Sequence, residues 1–417
     1  MKSAVKRNWN WGSCMSISRR TFLTGSAGMV AGAASLGFPS IIKSAYAQSD
    51  AIRVGVPTGI TGNWSALGAQ IQRTCRLFEK ITNAKGGISG RPIQFIYEDT
   101  QGDPAACVRK TTELVEKRGV SLITGIISSG ESLAVMPRLG EWNALYLASI
   151  AGVGSLTSTH FVPNAFRTCT SGPMRARTIA EWLAKSPKRK FFTIAQDYAW
   201  GKNSLATFEK LITDLKKETV GNVLTPLGTK DYSSYISRIR EARPDVLYVA
   251  MSGDDATAFL KQAGQYRLSD RMQIVTEVLD LLNTKPLGNA GIGLHGISQY
   301  NYAYDTPANV EFVRAFRAEY NDIPDTWDGE AWQCLEFLAH GIRVAKSSDA
   351  SAVRAALEGA EIDSVKGRVK MRACDHQAEQ PVFVARLDKD PNVPYPTAKI
   401  IATYQSDAVI PGCRKDI

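Results

Sequence analysis

The chain has 417 residues, with 50 Lys+Arg against 40 Asp+Glu and a formal net charge of +10. Six of those cations (Lys2, Lys6, Arg7, Arg19, Arg20, Lys43) lie in the first 47 residues, which hold no acid, and the other 370 residues carry 44 against 40, a net +4. That near balance removes the support the whole-chain charge lends to nucleic-acid or membrane-surface binding, and 44% hydrophobic with 22% charged residues argues against disorder. A body of this length is too long for one compact core and reads as two domains of roughly 150–200 residues.

The first predicted element is a leader over residues 1–47. Arg19 and Arg20, with Phe22 and Leu23 just after, resemble a twin-arginine (Tat) export signal. An uncharged stretch from Thr21 to Ile42, rich in Ala, Gly and Ser, leads to Ala45-Tyr46-Ala47, a small-x-small signal-peptidase pattern. The expectation is export to the periplasm with cleavage after Ala47. Loss of Cys14 with the leader leaves Cys75, Cys107, Cys169, Cys334, Cys374 and Cys413 in an oxidising compartment. Cys75 and Cys107 fall on neighbouring helical patterns and could pair, although six cysteines admit many connectivities.

The body alternates strand and helix. Ala51–Val56 reads as a strand, Gly68–Ala84 as a helix stopped by Gly86-Gly87, and Ile93–Tyr97 as a strand. Asp103 and Pro104 then open a helix to about Arg118, as cap and first-turn proline. Strand 121–124, helix 131–142 and strand 145–148 follow. After Phe166 a second series runs helix 174–184, strand 190–195, helix 201–215, strand 222–226, helix 232–242, strand 245–250, helix 254–266 and strand 273–276. Strand 294–298, helices 307–320 and 329–345, and β segments at 367–371, 381–386 and 398–403 complete it. Repeated β-α order predicts an α/β fold of two Rossmann-like lobes with parallel sheets, and the returning C-terminal segments predict a multi-segment hinge.

Few segments suggest chemistry. Gly291-Ile-Gly293-Leu-His-Gly296 matches G-x-G-x-x-G, but no strand precedes it and no helix follows, as a dinucleotide fingerprint requires. There is no Walker loop, no G-x-S-x-G, no C-x-x-C and no H-E-x-x-H, and the four histidines stand singly. No catalytic set, metal site or cofactor is expected. Gly125-Ile-Ile-Ser-Ser-Gly130 ends a strand and leads into a helix, a turn that aims N–H groups and serine hydroxyls outward and suits a carboxylate.

Four segments, IRVGVPTGITGNWSALG, NAKGGISGRPIQFIYEDTQGDP, the Gly125–Gly130 turn and DYAWG at 197–201, resemble the leucine/isoleucine/valine-binding-protein family of type 1 periplasmic binding proteins. The resemblance spans about Ile52 to Leu387. It implies a non-enzymatic, monomeric two-lobed receptor, with lobe I at 51–168 plus 302–376 and lobe II at 169–301 plus 377–417. A small carboxylate- or amide-bearing ligand would lie between the lobes and be delivered to an inner-membrane ABC permease, with no nucleic-acid partner. Carried over by position, Trp64 covers the ligand, Ser129 binds its carboxylate, and Ser149, Ile150 and Gly152 form the second carboxylate- and ammonium-binding turn. From the other lobe come Trp200, Ser252 and Glu277, the last facing a ligand ammonium.

This chain departs from that pattern twice. Gly152 stands where amino-acid binders usually offer a hydroxyl, and Gly102 and Ser128 replace a cysteine pair found in some members. The first departure weakens the case for an α-amino acid, and Trp64 and Trp200 facing each other would favour a flatter, more apolar ligand, so that an aromatic or aliphatic acid and a branched amino acid stand close as expected ligands. The rival ligand is urea or a short amide; the rival class, a Tat-exported enzyme, lacks a cofactor fingerprint and a nucleophile–base pair.

Overall fold

The computed structural model of the protein describes residues 51–415; the leader, its Tat motif and the cleavage point after Ala47 lie outside the described residues. Strands β1 (Ile52–Thr58), β2 (Ile93–Asp99), β3 (Leu122–Thr124), β4 (Leu145–Ala148) and β5 (Ala165–Arg167) form a parallel sheet in the order β2-β1-β3-β4-β5. Helices α1 (Ser65–Ala84), α2 (Pro104–Arg118) and α3 (Ser129–Val135) connect them. The second lobe begins with α4 (Gly172–Ala184), β6 (Lys190–Gln196), α5 (Ala199–Asp214), β7 (Glu218–Thr225) and α6 (Ser233–Ala242). It continues through β8 (Val246–Ala250), α7 (Gly253–Gln265), β9 (Gln273–Thr276), α8 (Leu281–Thr284) and β10 (His295–Ser298).

The chain then returns to the first lobe as α9 (Pro307–Tyr320), α10 (Thr326–Ala345) and α11 (Ala350–Leu357), with α10 packed on α1. A small antiparallel sheet of β11 (Glu361–Ser364), β12 (Gly367–Met371) and β13 (Ala378–Glu379) follows. Strands β14 (Val382–Asp388) and β15 (Thr397–Tyr404) close the second sheet, β15-β14-β10-β9-β8-β6-β7, before α12 (Ser406–Val409). Only β14 runs against the others in it, so its pairings with β10 and β15 are antiparallel and the rest are parallel.

Local chemistry accounts for these elements. Asp103 accepts from Ala106 N–H at 2.7 Å, Pro104 occupies the first turn of α2, and Gly119 ends that helix in the left-handed conformation at φ 63°. Strand β8 is buried along its length, because helices cover both faces of its sheet: Leu247 and Val249 join one apolar cluster, and Val246, Tyr248 and Ala250 the other. The G-x-G-x-x-G run leads into β10, which holds its last two residues, rather than following a strand, and a side-chain carbon at Gly296 would stand 2.5 Å from the Thr276 carbonyl oxygen. That glycine therefore serves strand packing, not phosphate binding.

The chain passes between lobes at 168–171, 299–306 and 380–381. Side-chain amides lace these crossings: Gln380 Nε2 and Gln333 Nε2 donate to Thr168 O at 2.8 and 2.7 Å, and Gln377 Nε2 donates to Cys169 O at 2.9 Å. The Cys75–Cys107 pair does not form. Cys75 on α1 and Cys107 on α2 are buried in different apolar clusters, packed against opposite faces of the first sheet, and both are free thiols. The disulfide joins Cys374 to Cys413, Cα–Cα 6.0 Å, and ties the C-terminal segment down beside β13.

Candidate ligand-binding site

The site starts with the loop after β1. Asp99, at the end of β2, accepts from the backbone N–H of Ile60 at 2.9 Å and from Thr61 Oγ1 at 2.6 Å, which fixes the loop that carries Trp64. The indole lies where three glycines leave room. A side-chain carbon at Gly102 would fall 2.4 Å from its Cδ1, one at Gly59 2.9 Å from its Cβ, and one at Gly253 in the opposite lobe 3.2 Å from its Cζ3. Gly102 is one of the two positions where some relatives carry cysteine; here its lack of a side chain is what seats the ring. Trp64 is 3% exposed and touches both lobes.

Ser129 is the first residue of α3, where the N–H has no intrahelical partner, and its hydroxyl accepts from Val153 N–H at 3.2 Å. That bond ties α3 to the turn holding Ile150 and Gly152. Behind Ser129 a capping box pairs Ser128 with Glu131, whose Oε2 accepts from Ser128 N–H at 3.0 Å. Burial pushes the Glu131 carboxyl up to about 7. A glutamate in an unfolded chain titrates near 4.3, so between about pH 4.5 and 7 the fold retains a proton that the unfolded chain has released. This component of stability is complete at acid pH and declines as pH rises through the folded value, by about 3 kcal/mol in all. Glu131→Gln preserves the acceptor and removes the titration. Urea denaturation should then show the variant gaining about 2–3 kcal/mol on the wild type from pH 5 to pH 8, and a gap that ignores pH would refute this account.

From the second lobe, α5 presents Tyr198 and Trp200 at its start, and Ser252 immediately precedes α7. Gln196 holds Ser252 by both backbone groups, accepting from its N–H at 3.0 Å and donating to its O at 3.2 Å. Trp64 and Tyr198 rings lie 5.8 Å apart, and Tyr198 and Trp200 rings 5.9 Å apart. Glu277, just beyond β9, is wholly buried and occupied by the protein itself. Its Oε1 accepts from Arg175 Nε at 2.9 Å and Trp200 Nε1 at 3.0 Å, and its Oε2 accepts from Tyr248 OH at 2.6 Å.

Six of the eight expected residues, Trp64, Ser129, Ile150, Gly152, Trp200 and Ser252, line one cavity between the lobes. Ser149 and Glu277 do not. The Ser149 hydroxyl is buried without a hydrogen-bond partner, and Glu277 is turned to Arg175 instead of toward a ligand ammonium. The cavity is a narrow slot of about 300 Å³. A roomier cavity of about 1060 Å³ opens at the outer end of lobe II beside Leu260, Met272 and Leu294, and touches none of these residues.

Sequence reading missed six of the lining residues: the apolar Leu67, Ile127 and Val278, and Arg175, Tyr198 and Trp327. Trp327 belongs to α10, which starts at Thr326 and not at Gly329, and its Nε1 donates to Asp280 at 2.8 Å. Arg175 sits in the first turn of α4, 2% exposed, with its guanidinium carbon 5.4 Å from the Trp200 ring centre. A cation on the face of α4 that turns inward was the available signal.

Comparison with known proteins agrees with this architecture. A family model described as periplasmic binding protein matches residues 51–392. Leu/Ile/Val-binding protein homolog 3 of Brucella melitensis is 27% identical over 352 residues, covering 81% of this chain and 90% of its own length. Two solved structures share the fold at 22% identity and TM-score 0.78. One is a solute-binding protein of an ABC transporter from Rhodopseudomonas palustris BisB5 in complex with 3,4-dihydroxybenzoic acid, covering 86% of this chain and 98% of its own. The other is an amino acid ABC transporter substrate-binding protein from Pseudomonas fluorescens Pf-5, covering 87% and 98%. With a model matched over most of its length and two lobes closed on a shared cavity, this chain belongs to the periplasmic binding proteins, in the leucine/isoleucine/valine-binding-protein-like type 1 family.

Proposed function

We propose that this protein is the exported receptor of an ABC transporter: a monomer that traps a small carboxylate-bearing molecule between its lobes and hands it to an inner-membrane permease. The ligand is an amino acid or an aromatic or aliphatic acid, and no bond is made or broken. Lobe I comprises residues 51–168 and 302–380 and lobe II 169–301 and 381–417, the last boundary moved from the expected 376/377 because β13 pairs with β12, and the leader directs the chain to the periplasm. The carrying observation is the slot itself, whose aromatic walls (Trp64, Tyr198, Trp200, Trp327) come from both lobes and whose donors, Ser129 and Arg175, converge on it. A guest that touches both lobes binds the closed form better than the open one and shifts the balance between them.

The magnitudes are consistent. Covering about 150 Å² of aromatic surface contributes about 4 kcal/mol. Micromolar affinity requires about 8 kcal/mol net, so charge-assisted hydrogen bonds to a carboxylate supply the remainder and offset ordering costs. Urea or a short amide would meet the same donors but leave the aromatic walls uncovered. The related structure with 3,4-dihydroxybenzoic acid supports an acid of that size.

A thermal-shift screen of amino acids, aromatic and aliphatic acids and amides tests the reading, followed by titration of each hit. Trp200→Ala should weaken any hit at least tenfold, about 1.4 kcal/mol; unchanged affinity would remove Trp200 from the site. Chemical turnover of a bound compound would overturn the receptor assignment.

A further inference from the structure

We infer that the Arg175–Glu277 pair is a charge filter, which admits monocarboxylates lacking an α-ammonium and turns away α-amino acids. The inference rests on the receptor reading above. Among the residues lining the slot, Arg175 alone is charged, and none is acidic. The acid that would balance an ammonium is spent: both Glu277 oxygens are held by Arg175, Trp200 and Tyr248, with the side chain wholly buried. Nearby carboxylates are likewise engaged. Asp255 accepts from Gln196 Nε2 at 2.9 Å and from Gly228 N–H at 3.0 Å, and Asp280 accepts from Trp327 Nε1 at 2.8 Å and from Asn283 N–H at 2.8 Å.

The guanidinium is positioned for an anion. Its Nε is given to Glu277, and its Nη1 to Thr170 O at 2.7 Å and Gln299 Oε1 at 2.9 Å. Nη2 remains, and a side-chain carbon at Gly152 would stand 2.5 Å from it. The glycine thus does two things: it opens the slot to Nη2, and it withholds the hydroxyl that an ammonium would need. A carboxylate against Gly152 meets a fixed donor edge, with Ser129 lining the same slot, whereas an ammonium there faces a like charge and no carboxylate to balance its own. Glu277 acts through Arg175 as a positioning residue.

Isothermal titration of the purified protein with matched probes tests this. 3-Phenylpropanoate against L-phenylalanine and 4-methylpentanoate against L-leucine each differ only by the ammonium; benzoate against benzamide differs in carboxylate charge. In the wild type, at least one deamino acid should bind 30-fold or more tighter than its amino acid, and benzoate at least tenfold tighter than benzamide. In Arg175→Gln/Glu277→Gln, which removes both charges and keeps a polar pair, these ratios should fall to within about threefold. An amino acid that binds as well as its deamino partner, and is lost in Trp200→Ala, would overturn the filter while leaving the receptor reading intact. Silence from all six compounds, with a hit from another class in the wider thermal-shift screen, would overturn the filter and leave the receptor reading intact. Unchanged ratios in the double variant would take the selectivity away from this pair, and the wild-type ratios decide the matter where that variant does not fold.

Discussion

Arg175→Met should lower the stability of the ligand-free protein by about 3–5 kcal/mol, because it strands a buried carboxylate. Arg175 and Glu277 are 2% and 0% exposed, and Arg175 brings the only cation that contacts Glu277 among the described residues. Trp200 and Tyr248 would still donate to Glu277, but neutral donors do not balance an ionised acid in a water-excluded place. The loss has a second part, since Arg175 Nη1 also binds Thr170 O and Gln299 Oε1 on two of the three crossings between lobes. Exposed pairs offer a contrast: Lys210–Asp214, at 2.7 Å and four residues apart on α5, is expected to contribute only about 0.3–0.5 kcal/mol. Urea denaturation of Arg175→Met, Glu277→Met and the double variant measures the difference. The double variant should recover most of the loss, and a single-variant loss under about 1 kcal/mol would show that the pair does not carry its own desolvation.

Trp64→Ala should weaken binding of any cleft ligand at least thirtyfold, about 2 kcal/mol. Its ring rests on Gly102 in its own lobe and on Gly253 and Tyr198 in the other, so removing it takes away a ligand wall and a contact between the lobes. The affinity loss should therefore come with a smaller ligand-induced compaction in small-angle scattering. A variant that kept affinity within threefold would reduce Trp64 to lobe packing.

Much of the architecture was legible because parallel α/β folds write their signals locally. Continuous apolar runs such as Val246–Ala250 and caps such as Asp103-Pro104 report on neighbours a few residues away. The elements passed over were mostly short, β5 at Ala165–Arg167, α8 at Leu281–Thr284, β11, β13 and α12, with the eight-residue α11 the exception. Three- or four-residue elements have no period to read and exist because neighbouring strands or helices hold them. Cys75 and Cys107 misled for the reverse reason: helices adjacent in sequence were separated by the sheet between them.

The order of strands and helices, the two-lobed class and the loops that bear Trp64, Ser129, Gly152 and Trp200 are written in local pattern and turn chemistry. What Glu277 meets came from packing alone. Its partner Arg175 lies 102 residues away on a helix of the same lobe, and the buried pair forms because packing excludes water from both charges at once. No local pattern encodes that exclusion, and it is what leaves a single guanidinium edge facing the slot.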